Sequence, residues 1–175
     1  MNYDVRSGEW GVGRGAFALL LVAGMMFTPA AAQGQDTGLP IGTQAPSAML
    51  HTLDGKTVDL AKVAKGPAVI EFWATWCENC EELLPAMRKA QAKYGKRVTF
   101  VAVAVSVNQS PRRVQLYTAK HKVPGLQLFD TKGDATGKWD VPATSHVVVL
   151  DRRGKVVYTG VGGDQDIDAA IRKAM

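Results

Sequence analysis

The sequence predicts an α/β fold with a mixed central sheet flanked by helices, and three observations carry that expectation. Residues 68–73 and 98–105 are short apolar runs rich in β-branched and aromatic residues, the pattern of strands covered on both faces. The stretch between them, about 78–94, puts Leu83, Met87, Ala90 and Tyr94 on one helical face, with Arg88, Lys89 and Lys93 elsewhere. Strand, helix and strand then make a right-handed βαβ unit. The only two cysteines of the chain, Cys77 and Cys80, sit where the first of those strands gives way to the helix.

Taken in order, residues 1–32 read as a leader. Arg6 and Arg14 give a basic start, residues 16–27 are apolar, and Thr28-Pro29-Ala30-Ala31-Ala32-Gln33 offers an Ala-x-Ala cleavage site. Those are the parts of a secretory signal peptide. The apolar run falls short of the roughly 20 residues of a transmembrane helix. Cleavage after Ala32 is therefore expected, with no stable membrane insertion afterwards and a periplasmic or otherwise extracytoplasmic location. Residues 33–42 form a polar lead-in expected to be mobile, and residues 43–175 the folded domain.

Residues 49–53 and 56–60 flank Asp54-Gly55, a two-residue hairpin signal. Pro85 is expected to kink the first long helix. Ser110-Pro111 reads as an N-cap followed by a first-turn proline, opening a second helix that runs to about His121. A short strand over 126–129, a loop over 130–137, a strand over 147–150, a turn at Asp151-Arg152-Arg153-Gly154 and an antiparallel strand over 155–159 follow. A terminal helix over 166–175 has acidic residues in its first turn.

The formal net charge of +5 survives removal of the leader, because Arg6 and Arg14 leave with Asp4 and Glu9. The remaining basic residues are scattered and not interleaved with aromatics, so no nucleic-acid partner is expected. The chemistry lies in the cysteines. A cysteine at a helix N-terminus meets unpaired N–H groups and the positive end of the helix dipole, which favour the reactive thiolate. That makes Cys77 the nucleophile and Cys80, one turn on, the resolving cysteine. A bridge closing so short a loop gains little loop entropy, which argues for a redox role over a structural staple.

Phe72-Trp73-Ala74-Thr75-Trp76-Cys77-x-x-Cys80, with Pro85 beyond it, resembles thioredoxin-fold proteins, and more narrowly the extracytoplasmic TlpA/ResA-like thiol-disulfide oxidoreductases. The resemblance covers residues from about Leu39 to the C-terminus. It implies a thioredoxin fold with an N-terminal β-hairpin and a helical insertion. It also implies a protein-disulfide reductase acting on exported proteins, apocytochrome c among them, with a membrane dithiol donor of the DsbD or CcdA type and no cofactor. It places Glu71 behind the dithiol, as proton acceptor for Cys80, and sets Trp76 beside the sulfurs. Glu78, Glu81 and Glu82 crowd the dithiol, a charge pattern that disfavours the thiolate and suits a reductant.

Two positions depart from the family pattern. Leu83 stands where such proteins often carry a glutamate. Ser145 stands where they carry a cis-proline, in the run Val141-Pro142-Ala143-Thr144-Ser145-His146. A cis bond before serine would cost about 2.5–4 kcal/mol, so a trans peptide and a more open site are expected, with Thr144 and Ser145 still facing a substrate peptide. A rival reading is a metal-binding module, with copper or an iron–sulfur centre on Cys77, Cys80 and His146. A peroxidase is disfavoured, because neither cysteine is preceded by Thr-x-x.

Overall fold

The computed structural model describes residues 37–175. The expected leader, residues 1–32, and the first residues of the lead-in lie outside them.

The element order is β1 (Met49–Thr52), β2 (Thr57–Asp59), α1 (Leu60–Val63), β3 (Ala68–Trp73), α2 (Glu78–Tyr94), β4 (Thr99–Val105), α3 (Pro111–His121), β5 (Leu126–Asp130), α4 (Asp134–Lys138), β6 (His146–Leu150), β7 (Val156–Val161) and α5 (Ile167–Arg172). One seven-stranded sheet runs β2-β1-β5-β4-β3-β6-β7. The β3, β4 and β5 strands are parallel, and β6 and β7 are antiparallel. This is the thioredoxin arrangement, extended at one edge by the β1–β2 hairpin.

The central strand, β3, is buried along its whole length, and its side chains alternate between the sheet faces. Ile70 and Phe72 pack into one core with Val101, Val103, Trp139 and Val148. Val69 points the other way, onto Leu83, Met87 and Ala90 of α2 and Ile171 of α5. The apolar stripe of α2 read from the sequence is thus its buried face, and the helix continues through Pro85. Ser110 caps α3 by accepting a hydrogen bond from Arg113 N.

Several expectations need correction. The lead-in is not loose over its described part. Gly42 N donates to Val156 O at 2.7 Å, Val156 N donates to Thr43 O at 2.9 Å, and Leu39 packs on the core. The hairpin loop is wider than Asp54-Gly55: the Thr52 N to Lys56 O bond encloses three residues, with Gly55 at φ 89°. That is the three-residue loop whose last position wants glycine. Where a loop was expected over 130–137, residues Asp134–Lys138 form α4. The cause is Asp130, which is fully buried at the end of β5. Its carboxylate accepts from Ala135 N, Thr136 N and Thr136 Oγ1 at 3.3, 2.8 and 2.7 Å. It organises the turn that brings Trp139 into the core.

Replacing Asp130 with alanine orphans those donors in a dry site, so Asp130→Ala should cost about 2–4 kcal/mol of stability. Urea unfolding followed by tryptophan fluorescence reads that loss, and an unchanged midpoint would contradict it.

Candidate active site

β3 ends at Trp73, and four residues later Cys77 is the N-cap of α2, with φ −90° and ψ 109°. Its sulfur accepts a hydrogen bond from Cys80 N at 3.1 Å. The two cysteines are joined as a disulfide, with Cα atoms 5.3 Å apart. Cys77 and Cys80 are 8% and 6% exposed, so burial hardly separates them. Position does: Cys77 holds the helix end, whereas Cys80 lines a cavity beneath it.

That cavity, of about 10 Å³, is lined by Glu71, Trp73, Cys80, Leu84, Tyr117 and Val123. It has room for about one water. Glu71 is buried in the sheet, and no group among the described residues hydrogen-bonds its carboxyl. Burial alone pushes Glu71 up to about 8. A carboxyl titrating there sits close to the ordinary range of a thiol, so proton exchange with a neighbouring cysteine is near balance.

The loop carrying Cys77 is held from the β4–α3 side. Trp76 Nε1 donates to Val107 O at 2.8 Å, and Thr75 N donates to Gln109 Oε1 at 2.9 Å. The amide of Gln109 in turn donates to Val105 O at the end of β4. Trp76 is 43% exposed and Val107 57% exposed, so an apolar patch borders the disulfide. Gln109 and Val107 carry no distinguishing mark in the sequence, and Tyr117 reads there only as an inward-facing residue of the second helix. Tyr117 stands between Trp73 and a stacked His121, with ring centroids 5.5 and 4.0 Å away.

Leu83 is fully buried against the sheet, so a carboxylate there is replaced by core packing. Glu78, Glu81 and Glu82 are exposed. The buried acid next to the cysteines is Glu71.

Ser145 and His146 are where the sequence reading fails. No cis peptide occurs among the described residues, as expected for serine, but Ser145 adopts φ 63°. Proline, fixed near −65°, cannot take that conformation. Nor does serine open the site. Ser145 is fully buried, and its hydroxyl donates to Gly162 O at 2.8 Å. Its side chain supports the loop from within; Thr144, beside it, remains partly exposed.

His146 is fully buried, on the sheet face away from Glu71. It pairs with Phe72 across β3 and β6 and points to the opposite sheet face from Glu71 and Trp73, in contact with Phe72 and Gly38. Burial pushes His146 down to about 4, against the Gly160 backbone and the Asp140 charge, and neither ring nitrogen has a well-formed hydrogen bond. It cannot be a third ligand beside Cys77 and Cys80. Among the described residues, no three His, Cys, Asp or Glu side chains gather as a metal site. The metal-binding reading loses the residue that supported it.

A helix-capping cysteine pair at the end of a central strand, over a buried carboxyl, defines the redox site of a thioredoxin-fold oxidoreductase. Comparison with known proteins narrows the class. The Redoxin family model matches residues 40–174, and the chain belongs to that family. It is 30% identical over 129 residues to the thioredoxin-like protein YneN of Bacillus subtilis, covering 73% of this chain and 75% of that one. It is 29% identical over 121 residues to the thiol-disulfide oxidoreductase ResA of the same organism, covering 69% and 67%. A thiol:disulfide interchange protein of the thioredoxin family from Chlorobium tepidum superposes with a TM-score of 0.61 at 27% identity, over 78% of this chain and 98% of that one. The protein is a TlpA/ResA-like thioredoxin-fold oxidoreductase.

The raised value of Glu71 has a sign that stability measurements can read. Its contribution is present below about pH 4.5 and lost as pH rises to about 8, because the unfolded carboxyl ionises freely while the buried one resists. Glu71→Gln, which cannot ionise, should therefore gain on wild type between those values and level off above pH 8, by about 5 kcal/mol at most. Chemical denaturation of the oxidised proteins across pH 4–9 checks this; a pH-independent difference would show that Glu71 stays ionised in the fold.

Proposed function

We propose that the protein is an extracytoplasmic reductase of protein disulfides, acting through the Cys77/Cys80 dithiol. The observation that carries the reading is the division of the pair between two environments: Cys77 caps α2, and Cys80 shares a small cavity with Glu71.

Chemically, the Cys77 thiolate attacks one sulfur of a substrate disulfide, forming a mixed disulfide and releasing one substrate thiolate, which takes a proton from solvent. Cys80 gives its proton to the Glu71 carboxylate and attacks Cys77 Sγ. The mixed disulfide breaks, the Cys77–Cys80 bond forms, and the second substrate thiolate leaves and is protonated. Two electrons pass to the substrate. Trp76 and Val107 offer apolar contact beside the sulfurs, and the partly exposed Thr144 is the position from which loop backbone would meet an extended peptide.

The basic start, apolar run and Ala-x-Ala site of residues 1–32 support export. In an oxidising compartment the dithiol must be re-reduced from outside. A membrane dithiol transporter of the DsbD or CcdA type fits that need, with exported proteins, including apocytochrome c, as acceptors. Soft metal ions on the reduced pair are disfavoured, because His146 lies across the sheet.

Reduced protein should reduce insulin disulfides in the presence of dithiothreitol, and Cys80→Ser should accumulate mixed disulfides through Cys77 while Cys77→Ser does not. Turbidity and non-reducing mass spectrometry read the two results. An inert wild type, or equal trapping by both variants, would reject the assignment.

A further inference from the structure

The loop 142–145 stands at the end of the sheet from which the cysteines project. Phe72 pairs with His146 across β3 and β6, so one step past the ladder Ser145 comes level with Trp73, four residues before Cys77. A loop that presents its backbone to a peptide must be rigid before the peptide arrives, or ordering it weakens binding. Serine does not supply that rigidity by itself: a φ of 63° is a region that ordinary residues avoid, at roughly 1–2 kcal/mol.

What holds the loop is a network from β7 and the segment after it. Gln165 Nε2 donates to Ser145 O at 3.0 Å and to Gly162 O at 2.7 Å. Gly162 N donates to Ser145 O at 3.3 Å, and the Ser145 hydroxyl returns a bond to Gly162 O. Tyr158 OH, on β7, donates to Gln165 Oε1 at 3.1 Å and so orients the amide. The space is closed around it. A Cβ at Gly160 would fall 2.6 Å from Gln165 Oε1, and one at Gly163 would fall 2.7 Å from Glu82 Cβ, in the second turn of α2. The network therefore ties the entry of β6 to the exit of β7 and packs against the helix that carries the cysteines.

We propose that Gln165 is a positioning residue for polypeptide substrates: through its two bonds to Ser145 O and Gly162 O, and oriented by Tyr158, it fixes the Thr144–Ser145 backbone in the form that receives the peptide flanking a disulfide. The role rests on the reductase reading above. Gln165 touches neither sulfur nor substrate. Its effect is confined to substrates that have a backbone to dock.

Steady-state reduction of two substrates by the full protein separates this from a general loss of structure. One substrate is insulin, and the other is hydroxyethyl disulfide, which has no peptide. Gln165→Ala should raise KM for insulin about tenfold, equivalent to 1.4 kcal/mol, with kcat within about twofold of wild type and hydroxyethyl disulfide reduction unchanged. Tyr158→Phe removes only one hydroxyl donor and should move KM for insulin in the same direction by a smaller factor; it carries the test if Gln165→Ala does not fold. An unchanged KM for insulin in the variants that fold, or an equal decline with both substrates, overturns the proposal. Wild type inert towards both substrates would instead overturn the reductase reading on which it rests.

Discussion

Everything in this molecule that bears on chemistry depends on Cys77 being the residue at which strand ends and helix begins. The bond from Cys80 N–H to its sulfur is a helix cap and also the contact that prepares a thiolate. For a cysteine to serve as cap, β3 must deliver the chain to that point in register. The burial of β3 on both faces and its ladders to β4 and β6 provide for this. For the cap to stay in place when the disulfide opens, the preceding loop needs its own anchors. Trp76 on Val107, and Thr75 on Gln109, provide them from outside the redox pair.

Two ionisable groups lie on opposite faces of that same strand pair, and each is held neutral by burial. Glu71, on β3, is pushed up to about 8, and His146, on β6, down to about 4. Between those values neither burdens the sheet with an unpaired charge. Their roles nevertheless differ. Glu71 opens onto a cavity that it shares with a cysteine, so its proton has somewhere to go. His146 is shut among Phe72 and the Gly38 backbone, on the sheet face away from Glu71.

The parts of this arrangement that were legible in the sequence are those written in periodicity. The continuous apolar runs of β3 and β4, the stripe of α2 and the Ser110-Pro111 start of α3 each reflect one local rule, and they appear close to where that rule puts them. The cysteine pair was legible because strand and helix fix what flanks it; the place of Glu71 behind the pair came from the family resemblance of the motif, because alternation along a strand covered on both faces does not settle it. What escaped was decided by single side chains acting across the fold. Asp130 makes a helix from a stretch that lacks helical periodicity. The orientation of His146 follows from its pairing with Phe72, which one strand's sequence does not contain. Ser145 looked like a gap in a family pattern. Its backbone conformation and its partners 17 and 20 residues away show a different way of fixing the same loop.

The account turns on Glu71 taking the proton from Cys80 as that thiol attacks. The most direct measurement is the rate of the intramolecular step, from mixed disulfide to Cys77–Cys80 bond, followed by stopped-flow tryptophan fluorescence from pH 5 to 10 in wild type and Glu71→Gln. Wild type should show a titration near pH 8 that speeds the step as Glu71 ionises, and the variant should lack it, matching wild type at pH 5–6 and falling behind as pH rises towards 8. Superimposable profiles would show that Cys80 loses its proton by another route and that the buried carboxyl plays no part in the chemistry.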